Sequence, residues 1–268
     1  MSVPPDIVSR YGQWAIVAGA SEGVGLALAN ALGDAGLNVV MIARRREVLE
    51  PAAAAVAKKY GVETFALALD LTSPDAATAM AQAALERDAG LFVYNAGGES
   101  SGSRFIDGNL AQWSSLVSRN VQCLMESLYL FGQQFAKRGN GAIVNICSGA
   151  ALGGCDHLAV YSATKAFGLN LCESIWYELK PRGVDVLSVL LDGTDTPTTR
   201  TTLSVHGIDP DTLSLARPEV IAEATLAHLN AGPDWFYGEV DTNGPRATAR
   251  RNHIEQTSAM MEMFYGSE

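Results

Sequence analysis

The chain has 268 residues, of which 48% are hydrophobic and 18% charged, enough apolar side chains for one large α/β domain and too few charges for a disordered protein. A formal net charge of −10 argues against nucleic acid or an anionic membrane as the main partner. No run approaches the ~18 apolar residues of a membrane helix, and the N-terminal stretch MSVPPDIVSRYGQ lacks an apolar signal core. Cys123, Cys147, Cys155 and Cys172 have neither paired nor metal-like spacing, which reads as reduced thiols in a cytoplasmic protein and no metal site.

In chain order, residues 14–18 are a short apolar run, followed by the turn Gly19-Ala20-Ser21-Glu22-Gly23-Val24-Gly25. The apolar-faced stretch after it reads as a helix closed by Gly36, and residues 39–43 read as a strand buried on both faces. Strand, glycine-rich turn, helix and strand make a dinucleotide-binding unit. Glycines let the backbone approach a pyrophosphate, and the helix start offers unpaired N–H groups at a positive dipole end. Gly19, Ser21, Glu22, Gly23, Val24 and Gly25 are therefore candidate cofactor contacts, although the spacing is not G-x-G-x-x-G. The plainer reading is a tight turn whose glycines permit close packing; its place between two buried strands favours binding.

An acid at the end of the second strand would hold an adenosine ribose 2′-hydroxyl. Ala43 stands there, and Arg44 and Arg45 follow, a pair suited to a 2′-phosphate. The cofactor expectation is NADP, with NAD as second candidate. Against it stand a solvated helix start at these arginines and Glu22, which repels a phosphate unless it turns to solvent.

Helices are expected over 46–59, 74–87, 110–137 and 218–229, and strands over 64–69, 91–94, 142–147, 184–191 and 234–240. Asp70 and Leu71, at one strand end, are placed against the adenine. Asn95-Ala96-Gly97-Gly98 forms a small-residue turn at another strand end, along the ligand crevice of an open α/β sheet. Ser148 ends the strand over 142–147. Tyr161 and Lys165 share one face of a helix running to about residue 180. An ammonium near a tyrosine oxygen favours the phenolate and brings the group into the range of proton transfer. Residues 192–202 read as a polar loop with a short helix, and the chain closes in a tail over 246–268.

Glycine turn, NAG turn, strand-end serine and YxxxK, in this order, resemble the short-chain dehydrogenase/reductase family in its single-domain form, over about residues 13–240. The resemblance implies an α/β fold: one catalytic domain over 1–268, Rossmann-type, with a doubly wound parallel sheet and helices on both faces. Gly19, Gly23 and Gly25 match its glycine motif, with Ala18 where threonine is common; Asn95, Ala96 and Gly97 match its NAG turn. Asn120, Ser148, Tyr161 and Lys165 match its four catalytic positions. By this resemblance Tyr161 is the proton carrier, Ser148 holds the substrate oxygen, and Lys165 assists Tyr161 and binds the nicotinamide ribose. Asn120 interrupts its helix and positions a water.

One departure stands out: after the sixth strand the family has Pro-Gly, where this chain reads Leu191-Asp192-Gly193-Thr194-Asp195-Thr196-Pro197. Either Asp192-Gly193 replaces that pair one residue short, or Leu191-Asp192 does, which keeps Thr194 and Thr196 aligned without a gap. Both put Asp192 near the nicotinamide. The family's substrate pocket draws on 149–160, a loop over about 192–215 and the tail. Here these supply Ala150, Ala151, Leu152, Leu158, Leu203, Val205, Met260, Met261, Met263 and Phe264, with His157 at the edge. They suit an apolar ketone or secondary alcohol. A homodimer or homotetramer, joined through helices 110–137 and 158–180, is the expected assembly. The rivals are a catalytically silent NAD(P)-binding sensor and a lyase or epimerase using the same tyrosine.

Overall fold

Seven apolar runs form the strands of one parallel sheet, and the helices between them cover both faces. The computed structural model describes residues 6–98, 103–154, 156–237, 252, 255 and 256. The strands are β1 (Trp14–Ala18), β2 (Asn38–Ala43), β3 (Thr64–Ala68), β4 (Leu91–Tyr94), β5 (Gly141–Ser148), β6 (Val184–Leu191) and β7 (Asp234–Tyr237). The helices are α1 (Ile7–Tyr11), α2 (Gly23–Asp34), α3 (Arg46–Tyr60), α4 (Ala76–Leu85), α5 (Leu110–Val117), α6 (Leu124–Arg138), α7 (Ala159–Leu179), α8 (Pro197–Val205) and α9 (Pro218–Ala227). Strand order is β3-β2-β1-β4-β5-β6-β7, with every pairing parallel. The order reverses between β1 and β4, which opens the crevice where such sheets bind ligands, at the strands' carboxyl ends.

Alternation along each strand divides its side chains between two cores. Ala15 and Val17 of β1, with Val39 and Met41 of β2, pack with Leu28 and Leu32 of α2 and Ile221 and Leu226 of α9. Ile16, Val40 and Ile42 face the other way, onto Met80 of α4, Phe131 and Phe135 of α6 and Cys172 of α7. Phe92 of β4 stacks on Phe131 with ring centroids 3.8 Å apart. Burial on both faces explains why β1, β2 and β4 read as unbroken apolar runs.

Some expected boundaries shift. The helix expected over 110–137 is α5, a π-type segment Ser118–Cys123, and α6, because one turn there widens around the inward Asn120. The short helix expected within the threonine-rich stretch after β6 is α8, where Thr196 Oγ1 accepts from the Thr199 N–H at 3.1 Å and Pro197 fills the first turn. The last strand is described as far as Tyr237; residues 238–240, Cys155, Met260, Met261, Met263 and Phe264 lie outside the described residues. No helix among the described residues is long and apolar enough to cross a membrane.

Candidate active site

Parallel strands bring their carboxyl ends to one edge, so the glycine turn after β1, the NAG turn after β4, Ser148 on β5 and Asp192 after β6 line a single crevice. The glycine turn is built by backbone. Gly19 and Ala20 donate their N–H groups to Ile42 O at 2.7 and 2.9 Å, and Asn95 Nδ2 donates to Gly19 O at 2.9 Å. A Cβ on Gly25 would lie 2.0 Å from Gly19 O, and Gly19 (φ 81) and Gly23 (φ 56) hold left-handed backbone that other residues resist. Glu22, at the N-cap of α2, makes no side-chain capping bond, which leaves the helix's first N–H groups facing the crevice side. A glycine cradle at an uncapped helix start fits a pyrophosphate. Thr196 packs against it, since a Cβ on Gly23 would come 3.1 Å from Thr196 Cγ2. Ser21 and Val24 lie within the same turn and helix start.

On the adenosine side, Ala43 ends β2 and Arg44 is exposed, with no ion pair among the described residues. Glu22 does not turn away to solvent: its Oε2 is 2.7 Å from Arg45 Nη2. The pair offsets the expected repulsion and engages Arg45, and Arg44 has no ion pair among the described residues. Asp70 accepts from the Thr72 N–H at 2.9 Å and hydroxyl at 2.8 Å. The Thr72 N–H above all, then its hydroxyl and the charges of Arg44 and Arg119, hold that carboxyl below the usual carboxylate range against partial burial. Leu71 beside it is buried.

The proton-transfer side is organised by β5 and α7. Lys165 is buried, its Nζ donating to Ile146 O at 2.9 Å and lying 5.7 Å from the centre of the Tyr161 ring. Ile146 stands two positions before Ser148, so one strand sets both the lysine and the serine. Ser148 Oγ accepts from the Ala150 N–H at 3.2 Å. Asn120, also buried, donates from Nδ2 to Gly97 O and to Thr164 Oγ1, both at 3.1 Å. Thr164 in turn donates to Tyr161 O at 2.8 Å. Asn120 Oδ1 is buried without a hydrogen-bond partner among the described residues, beside a cavity of about 10 Å³ shared with Asn145, Thr164 and Lys165. That is room for one water molecule. A Cβ on Gly97 would lie 2.1 Å from Asn120 Oδ1, so the NAG glycine makes way for the asparagine. Ala96 packs beneath, against the core.

Ser148 pairs in register with Leu191, which brings Asp192 to the serine's side of the crevice. Thr194 Oγ1 donates to Asp192 O at 3.0 Å. His157, with left-handed φ of 62, keeps Nδ1 3.2 Å from Asp156 Oδ2 and lines a small cavity with Tyr161, Phe105 and Trp113. Three further features shape the site. Thr164 ties Asn120 to the Tyr161 turn; Asn145 approaches Lys165 from β5; Phe105 stacks on Trp113 at 5.1 Å beside Tyr161. Thr164 lies inside the YxxxK motif and was legible there; the other two meet the site only through packing.

Comparison with known proteins agrees with this geometry. A family model described as short chain dehydrogenase matches residues 13–205. The chain is 32% identical over 256 residues to a 7β-hydroxysteroid dehydrogenase of Clostridium sardiniense, covering 95% of this chain and 97% of the relative. It is 31% identical over 189 residues to a Mus musculus protein named inactive hydroxysteroid dehydrogenase-like protein 1, covering 69% of this chain and 57% of that one. Among solved structures it resembles a short-chain dehydrogenase from Sphingobium yanoikuyae in complex with NADPH, with a TM-score of 0.80, 27% identity, and coverage of 91% of this chain and 95% of that one.

Proposed function

Because the chain belongs to the short-chain dehydrogenase/reductase family, as a nicotinamide-dependent oxidoreductase of CH–OH and C=O groups, we propose that it interconverts an apolar ketone and the corresponding secondary alcohol, with NADP preferred over NAD. The observation that carries this reading is the meeting of Ser148, Tyr161 and Lys165 at the carboxyl edge of β5, beside a glycine cradle. The chemistry a bound nicotinamide would supply is hydride exchange with the carbonyl or alcohol carbon. In reduction Tyr161 gives the matching proton to the carbonyl oxygen; in oxidation it takes that proton from the hydroxyl. Ser148 donates a hydrogen bond to the same oxygen as negative charge grows on it. Lys165, anchored on Ile146 O, stabilises the tyrosinate by its charge and holds ribose hydroxyls. A water in the cavity beside Asn120 would accept protons passing by way of Lys165.

The remaining residues hold the dinucleotide. Gly19, Ser21, Gly23, Val24 and Gly25 cradle the pyrophosphate, Asp70 and Leu71 border the adenine, and Asn95, Ala96 and Gly97 form the floor. Asp192, Thr194 and Thr196 border the nicotinamide half. Arg44 takes the 2′-phosphate, with Arg45 shared with Glu22. Residues 1–268 form one catalytic domain in this reading, acting in the cytoplasm as a homodimer or homotetramer. Likeness to a hydroxysteroid dehydrogenase over 95% of the chain supports a bulky apolar substrate. The relative named as inactive supports a second reading, a nucleotide-binding protein without turnover. The test is a panel of ketones and alcohols with each cofactor, followed by the near-ultraviolet absorbance of the reduced nicotinamide. Turnover on apolar ketones supports the proposal; nucleotide binding with no turnover across the panel favours the silent form.

A further inference from the structure

The aspartate after β6 has no counter-ion among the described residues. Ser148 and Leu191 are register partners, so Gly149 and Asp192 are the next residues beyond the edges of two neighbouring strands. A Cβ on Gly149 would lie 2.7 Å from Asp192 Oδ1, which places the carboxylate over the backbone just past Ser148. The residue is exposed, and its carboxylate has no hydrogen bond or ion pair among the described residues. Nearby cations are engaged elsewhere. Arg200 on α8 holds Asp195 and Asp211, each at 3.0 Å, and Lys165 is bound to Ile146 O.

In the proposed function a bound nicotinamide would lie against the carbon whose oxygen Ser148 and Tyr161 hold. A carboxylate over Gly149, the residue after Ser148, would then lie beside that ring. The oxidised ring carries a positive charge and the reduced ring is neutral, so a fixed negative charge separates the two redox states in affinity. We propose that Asp192 biases this site toward the oxidised cofactor, holding bound nicotinamide in the state that accepts a hydride from an alcohol. The inference rests on the nicotinamide-dependent reading above and adds to it a preferred redox state.

An exposed pair is screened, and partial exclusion of water by the stacked ring strengthens it, so the expected effect is about three- to tenfold. The experiment measures dissociation constants of NADP⁺ and NADPH, without substrate, by calorimetry and nucleotide fluorescence for wild type, Asp192→Asn and Asp192→Glu; circular dichroism checks the fold. If wild type prefers the NAD pair, the ratio is measured with that pair. Asp192→Asn should raise the ratio of oxidised to reduced dissociation constants about three- to tenfold, with the change falling on the oxidised form and shrinking at high salt. Asp192→Glu should stay near wild type. An unchanged ratio, or equal weakening of both forms, overturns the inference while the cofactor reading stands. Wild type binding neither nucleotide overturns both.

Discussion

In the proposed mechanism the chemistry turns on Tyr161, and removing its hydroxyl while keeping the ring isolates that role. Tyr161→Phe should lower kcat by about 10³, the scale of general acid–base catalysis, while leaving the affinity for cofactor almost unchanged. A variant with a tenth of wild-type turnover would remove the tyrosine from that role. Cofactor choice is a second question at this scale. With Arg45 held by Glu22, the proposed NADP preference rests on Arg44. A charge-assisted hydrogen bond contributes about 1.5–3 kcal/mol, so Arg44→Ala should weaken NADPH by about ten- to a hundredfold and barely change NADH. Ala43→Asp, which supplies a ribose-binding acid, should reverse the preference. The measurement is kcat/KM with each cofactor; equal losses for both would make Arg44 a solvated helix start.

At the scale of elements, β5 is the organiser. Its Ile146 carbonyl holds the lysine of α7, its last residue is the serine, and its Asn145 faces the cavity beside Asn120. The opposite end of the sheet is closed by α1. Tyr11 donates to Asp185 Oδ2 of β6 at 2.8 Å, and Arg10 pairs with the same oxygen at 2.8 Å. Burial first, then the negative charge of Asp185, pushes the Tyr11 pKa above its ordinary value of 10.0. The folded chain therefore keeps this proton where the unfolded chain loses it. The contribution is fully present below pH 10 and fades as pH rises toward the folded pKa. Tyr11→Phe should cost about 1.5 kcal/mol at neutral pH, the usual contribution of a bond to a charged acceptor. Its deficit against wild type should narrow above pH 10 in urea-melt midpoints. No deficit at neutral pH would mean that α1 is held by its apolar contacts alone.

For the whole molecule, α5, the turn before it and the start of α6 expose several large apolar side chains. Ile106, Leu110, Val117, Met125 and Tyr129 are exposed, and a groove of about 450 Å³ runs between Phe105, Val117, Val121, Val160 and Ala163. This groove has neither Ser148 nor Lys165 in its walls, so it is better suited to a second copy than to the reacting substrate. Wild type should run as a dimer or tetramer in size-exclusion chromatography with light scattering at micromolar concentration. Val117→Glu, which buries a charge in that contact, should shift it toward monomer. A monomeric wild type would leave these apolar residues to some other partner.

What the sequence determined by itself were the features carried by local order. Buried strands appear as continuous apolar runs, the first turn as glycines, and the reacting pair as a four-residue spacing on one helix; each is set by neighbours along the chain. Family membership followed from the same motifs in the same order. Only the tertiary structure decided which groups meet across the chain. Glu22 and Arg45 are far apart in sequence, yet they pair at 2.7 Å, while Arg44 has no ion pair among the described residues. The motif order singled out Asn120 and its break in the helix, but only the fold supplies its partners, Gly97 O and Thr164 Oγ1. The neighbourhood of Asp192 and Gly149 follows from the register of β5 on β6. Periodicity reports which face of an element is buried; it does not report which strand lies next to it or at what register. The electrostatics of this site depend on those long-range pairings.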